Sequence, residues 1–530
     1  MACRSSTCPL RAKRPDRFKQ TPNALLTQGV FHGEDRMLTS HAQTPDFRET
    51  SFVPRLFWGL LMVLPWIAPW SPGPQANTVP LLVSWACIGL LMVTGLRVQP
   101  LDIARAWAIA ALISSVLGLI QYFGASEAFS PWLHVTALGE ANANLRQRNQ
   151  LATLLAIGLL AVLWWQAQGL KTRHALWMLA LLATGNAATT SRTGLLHMLL
   201  VCGLVAFWAY RGRLPTPRLS ARLGLAAMAV YLLANWALPW SLSVLSGQDV
   251  VDALSRMGHN EGCGSRRVLW ANVLELIGQK PWTGWGWGEL KYAHYITPYA
   301  EGPEQRFCEI LGNAHNLPLH LAVTLGIPVT AALGLALLTV LAKARPWMSR
   351  TLHHQLAWSV LAVIGLHSLL EFPLWYGPFQ LAVLLCGVLL LAPATVVRLG
   401  ASRGMRLAGG MLLVMVCLVA ADYARARQIY MPAAQRWSVW RADPLGAARS
   451  SWFFQRSAGF AELTTTRITP DNAPWVLATS QDMLHYSPEP KVVRQLILSA
   501  HRLGRQDLVD LHSARWRAAF PSEPLPGHKL

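Results

Sequence analysis

The fold class is decided by residues 150–213, which read QLATLLAIGLLAVLWWQAQGLKTRHALWMLALLATGNAATTSRTGLLHMLLVCGLVAFWAYRGR. Three apolar runs, each close to the length of a membrane-spanning helix, are separated by short polar breaks. The breaks differ in character: KTR at 171–173 and RGR at 211–213 are basic, whereas TTSRT at 189–193 is mostly hydroxylated. Repeated apolar runs with basic connectors indicate an all-α protein that crosses a membrane several times.

The rest of the chain repeats this pattern. Of the 530 residues, 53% are hydrophobic and only 14% are charged, whereas soluble domains carry roughly 25% charged residues. The net charge of +20 lies mainly in the short connectors, and this distribution argues against a nucleic-acid-binding protein. The sequence predicts about eleven spans of roughly 20 residues each. They are 53–70, 79–96, 103–123, 150–168, 174–190, 194–210, 223–245, 314–342, 355–372, 376–396 and 406–423.

The distribution of basic residues also predicts which loops face the cytoplasm. If the N-terminus is cytoplasmic, alternate connectors should be basic, and they are, with Asp102 the only acidic residue among them. The segments 124–149, 190–193, 246–313 and 371–376 then lie outside, as does the chain from Ala424 onward. The basic residues are Arg97 and Arg105; Lys171 and Arg173; Arg211, Arg213, Arg218 and Arg222; Lys343, Arg345 and Arg350; and Arg398, Arg403 and Arg406.

Three regions are predicted: a disordered cytoplasmic tail over 1–52, with Met37 as an alternative start; a multi-spanning region over 53–423; and a helical extracytoplasmic domain over 424–530. Apolar positions in that domain indicate two amphipathic helices, at 488–504 and 506–520. Among the eight cysteines, Cys263 and Cys308 alone fall in an extracytoplasmic loop. An oxidising compartment favours a disulfide between them, the alternative being two unrelated thiols.

Polar residues that could do chemistry concentrate in the segments predicted outside. Gln147 and Arg148 begin a span, where a helix cap and a snorkelling arginine are the alternative interpretation. Arg192 is basic on the side where arginine is disfavoured, so it either binds an anion or pairs with Glu371. Arg266 and Arg267 suit an anion such as a pyrophosphate. The tryptophans of KPWTGWGWGEL (280–290) either stack on sugars or lie at the membrane interface.

Two ionisable groups at the outer boundary complete the set. His315 lies in NAHN (313–316), and histidine suits proton transfer near neutral pH, although a lone histidine at a helix start is more often structural. Glu371, in HSLLEFPLWY (367–376), is costly near a membrane unless it is paired. The sequence contains no Walker A loop, dinucleotide fingerprint, HExxH, CxxC or DxD motif. Nucleotide energy, a cofactor and a metal are therefore not expected.

Taken in order, these motifs resemble the O-antigen ligase and polymerase superfamily, and especially its protein O-oligosaccharyltransferase branch. The resemblance covers roughly 140–380 and rests on RQRNQLAT (146–153), TTSRTG (189–194), RRVLW (266–270) with KPWTGWGWGEL, NAHN and HSLLEFPLWY. The pattern YSPEP…LGR…AFP at 486–521 also resembles the tail of that branch.

The resemblance implies transfer of a preassembled glycan from a polyprenyl pyrophosphate to Ser or Thr of exported, pilin-like proteins, at the periplasmic face of the bacterial inner membrane. It gives His315 the role of orienting or deprotonating the acceptor hydroxyl, and Arg192 and Arg266 that of holding the pyrophosphate. Arg267 is an alternative to Arg266. Gln147 and Tyr376 match polar positions of the protein-modifying branch, and no metal is implied.

Two alternatives remain open at this point. Within the superfamily, the chain could be an O-antigen ligase acting on lipid A-core, or an O-antigen polymerase. A transporter or flippase is the alternative of another class, and it would need polar residues along both halves of the spans. They concentrate at the outer ends instead, which favours a transferase.

Overall fold

The computed structural model describes residues 52–71, 73–95, 97–211, 219–247, 262–299, 305–391, 397–398 and 402–526. Within these ranges the fold is helical, and the described part from Phe52 onward forms one compact unit. The predicted all-α class is confirmed, because the described residues form a helical fold. The predicted tail at 1–52 lies outside the described residues except for its last residue.

A helix is present in each of the eleven predicted spans. Among the described residues, six helices are long and apolar enough to cross a membrane, beginning at Pro100, Arg148, Arg192, Ala221, Ile327 and Arg403. The total of eleven spans stays a prediction. The helices are α1 (Phe52–Ile67), α2 (Thr78–Thr94), α3 (Pro100–Tyr122), α4 (Arg148–Ala167), α5 (Thr172–Ala188), α6 (Arg192–Arg211), α7 (Ala221–Ser246), α11 (Ile327–Ala344), α12 (Leu352–Ser368), α13 (Gly377–Leu391) and α14 (Arg403–Ala426).

Helix α4 occupies the centre of the bundle. It packs against α3, α5, α6 and α12, and 83% of its most apolar stretch is buried. Gly158 allows α3 to approach closely, because a Cβ at this position would lie 2.3 Å from the Cβ of Ala111. At the other extreme, none of the most apolar stretch of the α11 region is buried. An apolar helix with no protein cover suits contact with lipid.

One predicted span is wrong in its extent. The segment 314–342 is two helices, α10 (Leu317–Leu325) and α11, separated at Gly326. Gly326 has φ 85°, and a Cβ there would lie 2.2 Å from the carbonyl oxygen of Trp282. The amide of Ile327 donates to the carbonyl of Pro281 at 2.8 Å. The chain that packs into this break comes from a distant loop, so apolar periodicity alone could not show it.

Two further helices, α8 (Arg266–Gln279) and α9 (Leu290–Ile296), form a second apolar core together with α10. The C-terminal region contains α15 (Pro444–Arg449), α16 (Gln455–Thr465), α17 (Ala473–Tyr486), α18 (Pro490–Arg502) and α19 (Gln506–Ala519). The last two are the predicted amphipathic pair, and Gly504 between them has φ 69°. This region contacts α9, where Tyr295 hydrogen-bonds His512 at 2.9 Å.

A short antiparallel pairing joins Arg97–Val98 to Val397–Arg398. These residues belong to two of the connectors predicted to face the cytoplasm. The pairing therefore brings together segments that the charge pattern assigned to one side. The remaining domain boundaries and the side of the membrane stay predictions.

Candidate active site

Glu371 is the centre of the candidate site. It lies in the turn between α12 and α13 and is only 6% exposed. Its Oε2 accepts a hydrogen bond from Nδ1 of His315 at 2.6 Å, and its Oε1 accepts from Nδ2 of Asn149 at 3.0 Å and from the guanidinium of Arg266. A buried carboxylate is stable only when paired and hydrogen-bonded, and three segments supply its partners.

These contacts determine the charge of Glu371. Burial by itself raises the pKa of the carboxyl group, but the hydrogen bond from His315 and the positive charge of Arg266 lower it. The lowering effects prevail, so the pKa lies below its ordinary value. Glu371 is therefore an anion at neutral pH, acting as an acceptor for its neighbours rather than as an acid.

His315 is held in a strained and well-defined position. Its φ of 50° is rare for a residue other than glycine, and such strain is often found at functional sites. The backbone amide donates to Oδ1 of Asn313, the ring packs on Phe372 at 5.0 Å, and Asn316 caps α10. Because Nδ1 donates its proton to Glu371, Nε2 carries the lone pair and can accept a proton.

Arg266 and Arg267 differ in position although they are adjacent. Ser265 caps α8 by accepting from the amide of Val268, so both arginines lie in the first turn. The side chain of Arg266 is 32% exposed and reaches Glu371, whereas Arg267 is exposed. A guanidinium has five donor hydrogens. The contact with Glu371 leaves Arg266 further donors for an anion beside His315.

The second arginine of interest, Arg192, begins α6 and is exposed. The preceding residue, Ser191, caps this helix by accepting from the amide of Gly194 at 3.1 Å, and its hydroxyl donates to Oδ1 of Asn149 at 2.6 Å. Asn149 in turn donates to Glu371. A continuous series of hydrogen bonds thus connects Ser191, at the start of α6, to the carboxylate of Glu371. Arg192 follows Ser191 directly in the sequence.

Gln147, Arg148 and Tyr376 lie around this centre. Gln147 caps α4 by accepting from the amide of Gln150 at 2.7 Å, and Arg148 is half-buried at the first position of that helix. The ring of Tyr376 stacks on Phe372 at 5.7 Å, and its hydroxyl interacts with the side chains of Asn77 and Gln150. The structure gives Gln147 a capping contact, so its polar side chain already has a structural role.

His367, the other histidine of the HSLLEFPLWY motif, lies deeper in the bundle and is fully buried. Thr153 donates its hydroxyl proton to the carbonyl of Asn149 at 2.8 Å, so Nδ1 of His367, 2.8 Å from the same hydroxyl, acts as the donor. His367 therefore supports the helix that carries Asn149. Its backbone carbonyl accepts from the amide of Glu371 at 2.8 Å, whereas its ring makes no described hydrogen bond to the Glu371 carboxylate.

A disulfide joins Cys263 and Cys308, whose Cα atoms are 5.3 Å apart. Cys263 precedes Arg266 by three residues and Cys308 precedes His315 by seven. The bond therefore links the two arms of the long loop that carry Arg266 and His315. In the part of the chain that is described, no group of three or more His, Cys, Asp or Glu side chains could hold a metal ion.

Three family models match parts of the chain. The O-antigen ligase model matches residues 177–334, which include Arg192, Arg266 and His315. A model of the C-terminal part of a virulence factor membrane-bound polymerase matches 355–526, and a protein glycosylation ligase model matches 141–165. The resemblance to the O-antigen ligase superfamily is confirmed.

Two curated relatives point to the protein-modifying branch of this superfamily. A general O-oligosaccharyltransferase of Acinetobacter baylyi is 25% identical over 280 residues, which are 52% of this chain and 47% of the relative. A ComP-specific O-oligosaccharyltransferase of the same organism is 24% identical over 259 residues, 47% of this chain and 44% of the relative. The chain thus spans about half the length of the curated relatives it matches.

The sequence indicates Glu371, His315 and Arg266 as site residues but not the two residues that connect the carboxylate of Glu371 to the start of α6. Asn149 and Ser191 both lie inside quoted motifs, yet neither was singled out as a site residue. The sequence signal that could have indicated them is a side chain able to form hydrogen bonds at the start of α4 and another at the start of α6. Only the packing of these two helix starts against the α12–α13 turn reveals that they meet.

Proposed function

We propose that this protein is an O-linked oligosaccharyltransferase that moves a preassembled glycan from a polyprenyl pyrophosphate to Ser or Thr of an exported protein. The observation that carries the proposal is the contact of 2.6 Å between His315 Nδ1 and Glu371 Oε2, with Arg266 on the same carboxylate. This arrangement offers a proton acceptor and a cation side by side. The names of the two relatives support the reaction class and leave the substrates to be tested.

In the proposed reaction, Nε2 of His315 accepts the proton of the acceptor hydroxyl. Glu371 holds the ring in the required tautomer and stabilises the imidazolium that forms, as the carboxylate does in hydrolase triads. The hydroxyl oxygen attacks the anomeric carbon, and the bond from that carbon to the pyrophosphate oxygen breaks. A positioned base of this kind contributes about 10²–10⁴-fold to the rate.

The pyrophosphate gains negative charge as it leaves, and guanidinium groups stabilise that charge. Arg266 adjoins His315 through Glu371, and Arg192 begins α6 next to the Ser191–Asn149 contact. Both are therefore assigned to the leaving group, with Arg267 and Arg148 at the periphery. The bond to pyrophosphate supplies the free energy, so neither a metal nor a nucleotide is required in this scheme.

The proposal places the site on the periplasmic side of a bacterial inner membrane. The four connectors predicted to lie outside contribute Asn149, Ser191, Arg266 and Glu371, and these residues meet His315, which lies at the outer boundary of the next predicted span. The basic connectors at Arg97 and Arg398 pair with each other. The lipid tail of the donor would enter between spans, and pilin-like proteins are the proposed acceptors.

Purified protein reconstituted with a lipid-linked glycan and a candidate acceptor tests the proposal. We expect His315→Ala and Arg192→Ala to abolish glycan transfer while the variants still insert into the membrane. His485 is a matched control, because its Nδ1 also contacts a carboxylate, that of Glu289, at 2.6 Å. His485→Ala should retain transfer. Wild-type activity in either site variant would overturn the assignment.

An O-antigen ligase acting on lipid A-core, or a polymerase, is the second candidate. The ligase and polymerase family models that match 177–334 and 355–526 favour it. A deletion strain distinguishes the candidates. Loss of glycan from exported proteins supports the first, and altered lipopolysaccharide with unchanged protein glycosylation supports the second.

A further inference from the structure

Three aromatic side chains form a continuous series that starts at His315. The ring of Phe372 packs on His315 with centroids 5.0 Å apart, Trp375 follows at 6.5 Å, and Trp287 stacks on Trp375 at 5.9 Å with an interplanar angle of 8°. We call Phe372, Trp375 and Trp287 the aromatic shelf. Two of its members come from the α12–α13 turn and the third from the loop between α8 and α9.

The loop that carries Trp287 is held rigidly against α10. The amide of Trp285 donates to the carbonyl of Val323 at 2.9 Å, and the amide of Gly286 donates to that of Thr324 at 3.0 Å. The indole of Trp285 donates to the carbonyl of Leu276 at 2.9 Å. Gly284 has φ 65°, and a Cβ there would lie 2.4 Å from the backbone of Thr324. These contacts fix the position of Trp287, two residues further on.

Trp287 is nevertheless 61% exposed. One face of its ring is covered by Trp375, and His320 contacts both rings edge-on, at 5.9 and 5.3 Å. Burial lowers the pKa of His320 to about 4, so this neighbour is uncharged at neutral pH. The shelf thus presents an apolar aromatic surface on a fixed backbone beside an ionic centre, a combination typical of ligand sites.

We propose that the aromatic shelf binds the sugar rings of the lipid-linked glycan next to the pyrophosphate; this inference rests on the proposed function. The sugar attached to pyrophosphate must lie between Arg266 and His315 for the reaction to occur. The following sugars then extend past Phe372 and Trp375, whose rings are perpendicular at 88°, to the face of Trp287 that Trp375 does not cover. The apolar faces of sugars stack on aromatic rings, and a tryptophan on a fixed loop gives such a contact at a reduced ordering cost.

The test is the dependence of transfer on donor concentration in reconstituted protein. Trp287→Ala should raise KM for the lipid-linked glycan by about three- to tenfold, the range expected for one aromatic stack, and should leave kcat within about twofold. Trp287→Phe should restore most of the affinity. Trp282→Ala is the matched control: Trp282 lies in the same loop, is 77% exposed and is outside the shelf, so its loss should leave KM unchanged.

An unchanged KM in Trp287→Ala overturns the inference. The inference is also overturned if Trp287→Ala and Trp282→Ala reduce membrane insertion equally and leave KM unchanged. That result would assign Trp287 to the membrane interface. Calorimetric binding of the free oligosaccharide separates this inference from the proposed function. If the oligosaccharide binds in a way that depends on Trp287 but no glycan is transferred, the aromatic shelf is supported and the transferase function is overturned. If glycan is transferred and KM is the same with and without Trp287, the transferase function is supported and the aromatic shelf is overturned.

Discussion

The carboxylate of Glu371 joins residues that are up to 222 positions apart in the chain. Asn149, Arg266 and His315 each come from a different segment, and each donates to one of its two oxygens. Removing the negative charge leaves a guanidinium without its counterion and an imidazole without its acceptor. Stability and chemistry at this site therefore depend on the same group.

The pH dependence of stability tests this account. Since the pKa of Glu371 lies below 4.5 in the folded protein, the ionised carboxylate stabilises the fold above that pH, and the contribution is lost as the pH falls through the folded-state pKa. Glu371→Gln should cost about 1–3 kcal/mol at pH 7 and progressively less below pH 4.5. Thermal unfolding in detergent measures the difference.

Glu127→Gln serves as the control, because this side chain is exposed and its replacement should leave the free energy of unfolding close to that of the wild type. A cost of Glu371→Gln that stays constant from pH 7 to pH 3 would contradict the assigned role. The sequence offered a structural pairing of Glu371 with an outer arginine as one alternative to a functional role, and it did not identify the arginine. Which of Arg266 and Arg267 reaches Glu371 depends on the helical register that Ser265 sets by capping α8. The composition of the segment does not reveal that register.

At the scale of elements, the boundary between α10 and α11 separates the loop core from an apolar span. A single apolar run predicts one helix, and the break at Gly326 exists because residues 281–283 pack against it. Hydrophobic periodicity depends only on residues that are close in sequence, so it cannot predict a helix break that is caused by contact with a distant loop. The ten other predicted spans and the C-terminal pair each contain a helix, and local pattern was enough to place them because lipid and core both select apolar faces.

Gly326→Ala should destabilise the protein strongly. The added Cβ meets the carbonyl of Trp282 at 2.2 Å, and alanine is strained at φ 85°, which together cost about 1–3 kcal/mol or more. Gly334→Ala, in the same apolar region, is the control, because nothing lies within 4 Å of its added Cβ. It should be neutral or stabilising by up to about 1 kcal/mol. Equal melting temperatures for the two variants would contradict the packing described here.

At the scale of the whole molecule, two arms of the long loop, one with Arg266 and one with His315, reach the same carboxylate. The disulfide between Cys263 and Cys308 closes a separation of 45 residues and ties together the arms that carry Arg266 and His315. The charge pattern placed both cysteines in one loop, and this was enough to predict the pair. The contact between the C-terminal helices and α9 was not predictable, because Tyr295 and His512 carry no distinctive pattern.

Cys263→Ser should lower stability by as much as about 4 kcal/mol, the chain-entropy value for a loop of this length, and should reduce glycan transfer. Cys308→Ser and the double variant should match it, since each removes the same bond. Cys417→Ser, in α14, is the control and should melt as the wild type does. Additive losses in the double variant would show that the two thiols act separately.

The enclosure of α4 has a consequence for biogenesis. Four neighbouring helices cover it, yet α12, which carries His367 against Thr153, is synthesised about two hundred residues later. During translation, therefore, the newly inserted α4 exposes Thr153 to lipid or to the insertion machinery until α12 arrives. In a chain that stops before α12, Thr153 would keep only the hydrogen bond to the carbonyl of Asn149 in its own helix, so the surroundings of α4 are complete only once α12 has packed against it.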